Sequence, residues 1–308
     1  MKSKLRIGIQ LRSTRTFDIQ KPGNVQGDEQ VALSWQKYLQ RRADVELVSV
    51  YGPNDRPPDG LDVVIHFYPM LDLHPSAKNF FYLQNVFPEK HYPGAGGTVG
   101  VFRQAQSRYD GYIFTSERLM RACAPGAVIP FATDPETFFP MPSKEYAHRV
   151  CFVGNDIRGV AVNQRYLAPA VPFGLVIYGN SWAPPLVDVC RGKLPMEDLP
   201  KVYSSALIHL NCHIDEHVVY DTVNLRVYDI LACGGFVISD EVKSLIEMFG
   251  ESVVLTEGDE DLWSKLVRYL ADPKERERRG AIGRKIVLGE HTYQQRIETL
   301  VGYLRETL

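Results

Sequence analysis

The five cysteines of this sequence, Cys123, Cys151, Cys190, Cys212 and Cys233, form no C-x-x-C pair and no zinc-like spacing. They are an odd, scattered set with three members inside apolar runs (VCFVG, LNCH, LACGG). That argues against a disulfide framework and matches small core residues in a reducing, cytoplasmic compartment. Long hydrophobic runs are missing too: no window approaches the roughly 18 consecutive apolar residues of a membrane span. The start, MKSKLRIGIQL, is basic, but Arg6 and Gln10 break its apolar run and no small-residue cleavage site follows. It reads as a first strand, not a signal peptide. A charge excess is also absent: 35 Lys and Arg against 37 Asp and Glu leave a formal net charge of −2. This speaks against duplex nucleic acid as a partner and leaves room for a local basic pocket. There is no low-complexity segment and no short repeat to indicate a solenoid.

What is present is an alternation of short apolar runs with helical stretches. The 308 residues suit one large domain or two of ordinary size, and the pattern favours two. KLRIGIQL, DVELVSVYG, LDVVIHFYP, NFFYLQNVF and YDGYIFTS, bounded by Gly, Pro and Asp and interleaved with helices such as EQVALSWQKYLQRR, predict βα units on a parallel sheet. Residues 130–148 are rich in proline and polar residues, as a linker is. The pattern then restarts with RVCFVGN, FGLVIYGN, ALIHLNCH, GGFVISD and SVVLTEG. The expected division is a first Rossmann-like domain over 1–135, a linker over 136–148 and a second over 149–308. Three helices close the chain, interrupted by Asp272-Pro273 and by Gly280, Gly283 and Gly289, and the last is placed to cross back to the first domain. Two such sheets make a cleft in which ligands bind beyond the strand ends.

The stretch DTVNLRVYDILACGGFVISD, residues 221–240, carries the most chemistry. A helix starting near Asn224 or Leu225 presents unpaired N–H groups to an anion, and Arg226 adds a charged donor. Asp229, a turn further on, suits a ribose diol, and Asp221 in the preceding loop lies toward the far end of a bound diphosphate. The same spacing serves structure: Asn224 or Asp221 as helix cap, Arg226 paired with Asp229, and Gly234-Gly235 as helix stop. Both readings stand on these residues alone.

NLRVYDILACGGFVISD, ESVVLTEGDEDLWSKLVRYLADPKERERRG and HTYQQR resemble the CgeB-like (spore maturation protein) glycosyltransferases, relatives of the large retaining family with the GT-B fold; the likeness covers roughly residues 110–305. In the wider family the block reads E-x7-E followed by A-x-A-x-G; here it is Asp221-x7-Asp229 followed by Ile-Leu-Ala-Cys-Gly, both acids one methylene shorter. The resemblance implies an α/β GT-B enzyme of two Rossmann-like domains. Such an enzyme moves a sugar from a nucleotide diphosphate-sugar to a glycan, lipid-linked, protein or small-molecule acceptor in glycan biosynthesis, retaining the anomeric configuration, with the nucleotide sugar as co-substrate and no metal or other cofactor. An epimerase or phosphorylase of the same fold, or a nucleotide-sugar binder without catalysis, are the alternatives.

The resemblance distributes further residues. Gly154 and Asn155 in VCFVGN fall at the diphosphate turn, and Tyr178, Gly179, Asn180 and Trp182 in VIYGNSW near the base, with Trp182 able to stack. Asn211 and His213 end a strand facing the cleft, and His213 joins Arg226 and Asp221 as candidates for catalysis. Asn224 and Leu225 open the phosphate helix. His209, His213 and His217 recur every four residues, but LIHLNCH reads as a strand and no H-E-x-x-H occurs, so metal binding is not expected. IPFATDPETFFP resembles the family's linker motif. In the first half Asp28, His66, Gln84, Asn85, Glu89 and His91 are acceptor-side candidates, with helix capping the competing task for Asp28 and interior packing the competing one for His66. No residue reads as a catalytic base.

Overall fold

The computed structural model describes residues 4–12, 27–90 and 92–308. Two all-parallel sheets dominate it. The first contains β1 (Leu5–Gln10), β2 (Val45–Tyr51), β3 (Val63–His66), β4 (Lys78–Leu83), β5 (Gly111–Phe114) and β6 (Ala127–Val128), in the order β2-β1-β3-β4-β5-β6. The second contains β7 (Val150–Val153), β8 (Leu175–Tyr178), β9 (Ile208–Asn211), β10 (Val237–Ser239) and β11 (Val253–Leu255), in the order β11-β10-β9-β7-β8. Each expected strand is present. The runs are continuous in apolar residues because helices cover both faces, which a parallel sheet requires. β6, only two residues long, has too little sequence to carry a pattern.

Helices α1 (Gly27–Gln40), α2 (Gly97–Ala105) and α3 (Glu117–Cys123) belong to the first sheet; α4 (Val160–Tyr166), α5 (Leu199–Ser205), the short α6 (Asp215–Val219), α7 (Leu225–Ala232) and α8 (Lys243–Phe249) surround the second. Three helices end the chain: α9 (Asp259–Ala271), α10 (Pro273–Glu290) and α11 (Tyr293–Thr307). Asp272 caps α10 by accepting the Glu275 N–H at 3.1 Å, with Pro273 at the first helical position. α10 runs unbroken through Gly280, Gly283 and Gly289. A Cβ at Gly280 would lie 2.4 Å from the Gly234 carbonyl oxygen, so that glycine serves close approach to the end of α7 and does not interrupt the helix.

The segment joining the sheets is packed, not slack. Phe131, Ala132, Thr133 and Phe138 are buried, and Asp134 accepts hydrogen bonds from Tyr38 Oη and Lys37 Nζ, both at 2.7 Å, which moors it to α1. Thr133 also pairs through its main chain with His291 and Tyr293 at 3.0 Å, just before α11. α11 then lies along α1 on the first sheet's side, where Tyr303 meets Phe80 edge-on at 5.8 Å and Arg305 reaches Asp44 at 3.3 Å. One continuous apolar core therefore runs from Ile7, Trp35 and Tyr82 past Phe131 and Phe138 to Tyr203, Tyr228 and Tyr293. Among the described residues no helix is long and apolar enough to cross a membrane.

Candidate functional site

In the second sheet the strand order reverses at β7, whose neighbours are β8 and β9. The crevice beyond the ends of β7 and β9 is where an open α/β sheet binds ligands. α7 points its N-terminus at this crevice. Its residues Val227–Ala232 are all buried, which holds the helix axis fixed against α5 and α10. A cavity of about 400 Å³ opens there between the sheets, lined from the first by Asp28, Gln30, Gln84 and Asn85, and from the second by Gly154, Asn155, Arg158, His217, Asn224, Leu225, Arg226 and Asp229.

Two guanidinium groups dominate its electrostatics. Arg226 donates to the Val153 carbonyl and, at 2.7 Å, to Asn211 Oδ1. Arg158 donates to the Cys212 carbonyl at 2.7 Å and to the Asn155 carbonyl at 3.0 Å. Both stack on the Phe152 ring, at 4.6 and 4.9 Å from its centroid. Among the described residues neither forms an ion pair with a carboxylate. Burial, with Arg158 adding like-charge repulsion, pushes the Arg226 pKa down to about 10, so it still carries its charge at neutral pH. A buried Arg158 and a half-buried Arg226, with no carboxylate partner among the described residues and beside a helix N-terminus, make a site prepared for a multivalent anion.

Uncommitted hydrogen-bonding groups converge on the same cavity: Gln84 Nε2, His217 Nδ1 and Asn224 Oδ1 are buried atoms without partners among the described residues. Burial, then the nearby His213 and Arg158, drives the His217 pKa down to about 3, which keeps that ring neutral. Asp28 comes from the first turn of α1, and burial raises its pKa against the pull of Arg12. Asp229 is buried at the cavity wall, accepting from Gln30 Nε2 at 2.8 Å and Thr133 Oγ1 at 2.9 Å. Burial lifts its pKa to about 8 in spite of those donors.

Other expected site residues stand elsewhere. Asp221 does not reach the cavity: held at φ 56°, it accepts the Ser244 N–H at 2.8 Å and the Ser244 hydroxyl at 2.7 Å, tying down the start of α8. His213 is buried instead of facing the cleft, its ring between Asp240 and the Asn224 N–H. Asn211 lies behind Arg226 and steers it. Trp182 does not stack in the crevice; it packs edge-on against Phe152 at 5.7 Å and donates to the Gly154 carbonyl at 3.1 Å. Asn180 donates its N–H to Asn155 Oδ1 at 2.9 Å, bracing the turn after β7.

Tyr178 and Gly179 line a side cavity of about 110 Å³ with Lys193 and Leu194, which shares Val153, Gly154, Asn155 and Leu199 with the main one. A Cβ at Gly179 would sit 1.9 Å from the Gly154 carbonyl oxygen, so glycine is obligatory where the two turns touch. Asn224 occupies the N-cap position of α7 but makes no side-chain cap bond, and Arg226 does not pair with Asp229.

On the acceptor side Gln84, Asn85 and Asp28 reach the cavity, whereas His66 and Glu89 do not. His66 is wholly buried against Asn79 Oδ1 at 2.9 Å, and burial lowers its pKa to about 4. Glu89 gathers the N–H groups of Gly94, Gly96 and Gly97 at the entry to α2. His91 lies outside the described residues. No group of three or more His, Cys, Asp or Glu side chains gathers as a metal site among the described residues.

Arg158 was not anticipated, although an arginine four residues past the glycine ending β7 was the available signal. A larger hollow, about 690 Å³, opens on the far side of α6. Asp215, Asp240, Glu241 and Glu257 line it against Arg165 and Lys265, an acidic balance that disfavours phosphate.

Residues 162–302, which carry β8–β11 of the second sheet, match the family model described as Glycosyl transferase-like. No curated protein matches the chain in sequence. Among solved structures, a sucrose-phosphate synthase from Thermosynechococcus elongatus is similar at a TM-score of 0.70 and 15% identity, covering 98% of this chain and 99% of that one. AviGT4, a glycosyltransferase involved in avilamycin A biosynthesis, is similar at 0.65 and 15%, covering 98% of each chain. HepE from Anabaena, determined in complex with UDP and glucose, is similar at 0.63 and 11%, covering 98% and 99%. The chain thus has the GT-B fold of these glycosyltransferases, with the cavity between its two sheets. The narrower likeness to CgeB-like proteins is not among these matches.

Proposed function

We propose that the chain transfers a sugar from a nucleoside diphosphate-sugar to a hydroxyl-bearing acceptor, with retention of configuration and with arginine side chains in place of a metal at the diphosphate. The observation that carries this is the pair of guanidiniums, Arg158 buried and Arg226 half-buried, facing the cavity beside the N-terminus of α7 with no carboxylate partner among the described residues. As the bond from the anomeric carbon to the phosphate oxygen breaks, charge grows on the leaving diphosphate, and fixed donors there lower the barrier. The acceptor oxygen forms the new bond to that carbon, and its proton passes to the departing phosphate. This needs no separate base.

The base would lie toward Tyr178 and Lys193 in the side cavity. Asp229 would take a ribose hydroxyl in exchange for the Gln30 amide, and the wall of Asp28, Gln84 and Asn85 would receive the acceptor. UDP is the first nucleotide to test, because HepE was determined with UDP and glucose. Asp229→Ala is expected to weaken UDP binding about tenfold while leaving inorganic pyrophosphate binding close to wild type, in calorimetric titrations of both ligands. Equal losses for the two ligands would remove the ribose role.

A further inference from the structure

We propose that Asp240 is a positioning residue of this donor site: by fixing the His213 tautomer it aims the start of α7 at the diphosphate. The inference rests on the donor reading above. It comes from a closed ring of hydrogen bonds beneath the helix start. The Asn224 N–H donates to His213 Nε2 at 3.3 Å, and the His213 Nδ1–H donates to Asp240 Oδ1 at 2.6 Å. The Ser239 hydroxyl donates to Asp240 Oδ1 at 3.1 Å, Asn211 Nδ2 to Ser239 Oγ at 2.8 Å, and Asn224 Nδ2 to Asn211 Oδ1 at 2.9 Å, which closes the circuit. Arg226 joins it at Asn211 Oδ1. Asn211, His213, Ser239 and Asp240 are all at most 4% exposed.

The direction of each bond follows from chemistry. An N–H aimed at His213 Nε2 needs a lone pair there, so the ring proton sits on Nδ1, where Asp240 receives it. The other Asp240 oxygen accepts the His213 main-chain N–H at 2.8 Å. Although burial works against it, the His213 ring and N–H hold the Asp240 pKa below its ordinary value. His213 thereby consumes the N–H of Asn224 and leaves those of the following first turn for an anion. Asn224 Oδ1, unpartnered among the described residues, faces the cavity.

Asp240→Asn forces a choice. With its oxygen on the His213 ring, the new amide group opposes the His213 main-chain N–H, donor against donor. With its oxygen on the main chain, the amide faces Nδ1, and the ring proton must move to Nε2, against the Asn224 N–H. Only the ring can adapt, so the tautomer flips.

Titration of this variant with inorganic pyrophosphate is expected to show an affinity about tenfold below wild type. Nitrogen NMR of the imidazoles should then place the His213 proton on Nε2. A flipped tautomer with wild-type affinity would overturn the proposal, as would lost affinity with an unchanged tautomer. Should Asp240→Asn fail to fold, His213→Gln and His213→Leu decide. The glutamine oxygen still accepts the Asn224 N–H, so it should bind pyrophosphate about fivefold more tightly than the leucine variant. Equal affinities for those two contradict the positioning role. A wild-type protein that does not bind pyrophosphate refutes the donor reading and, with it, this inference.

Discussion

Arg226→Met is expected to lower the affinity for a nucleoside diphosphate roughly 100-fold, the scale for losing one partner of a desolvated charge pair. The ligand-free protein should melt within a few degrees of wild type. Burial holds the folded Arg226 pKa at about 10, below its ordinary value in the unfolded chain, so keeping the charge inside costs the fold about 3 kcal/mol at any pH below that window. Methionine keeps the stacking on Phe152, releases Arg158 from a like charge and gives up the bonds to Val153 and Asn211. These effects offset each other in stability, whereas nothing offsets the missing cation in binding. Calorimetry with UDP and pyrophosphate, beside thermal melts of the free protein, separates the two. A collapse in melting temperature with little change in affinity would make Arg226 a structural residue.

Asp229→Asn should stabilise the free protein in alkaline solution, by about 5 °C near pH 8 and by almost nothing near pH 4. Its folded pKa, raised by burial to about 8, lies above the ordinary 3.8. Between those values the folded chain binds a proton that the unfolded chain has released, so wild-type stability falls as pH rises through this window and levels off above it. Asparagine is neutral throughout and keeps hydrogen bonds to Thr133 and, with the Gln30 amide reversed, to Gln30. Its advantage therefore grows across the same window. Melting curves at several pH values check this; a difference independent of pH would mean that Asp229 is ionised in the fold.

The sheets were legible because buried parallel strands write themselves as short apolar runs between turn residues. The phosphate end was legible because helix start and arginine are adjacent in NLR. What local pattern could not show were side-chain directions fixed from far along the chain. Asp221 turns to Ser244, 23 residues away, and Asp229 faces Gln30, 199 residues away. His213 and His217, two members of one four-residue spacing, separate: one braces the helix, the other faces the cavity. Trp182 went to the core because Phe152 and the Gly154 carbonyl offered its ring and N–H a better place than an open crevice. Arg158 gains its meaning only when β7 and β9 stand side by side.

The most direct test of the account is a crystal structure with a nucleoside diphosphate such as UDP. Its phosphates should lie between the sheets, within hydrogen-bonding distance of Arg226, Arg158 and the N–H groups opening α7. Phosphates in the hollow beside Asp215 and Glu241, or on the outer surface with both arginines untouched, would contradict it.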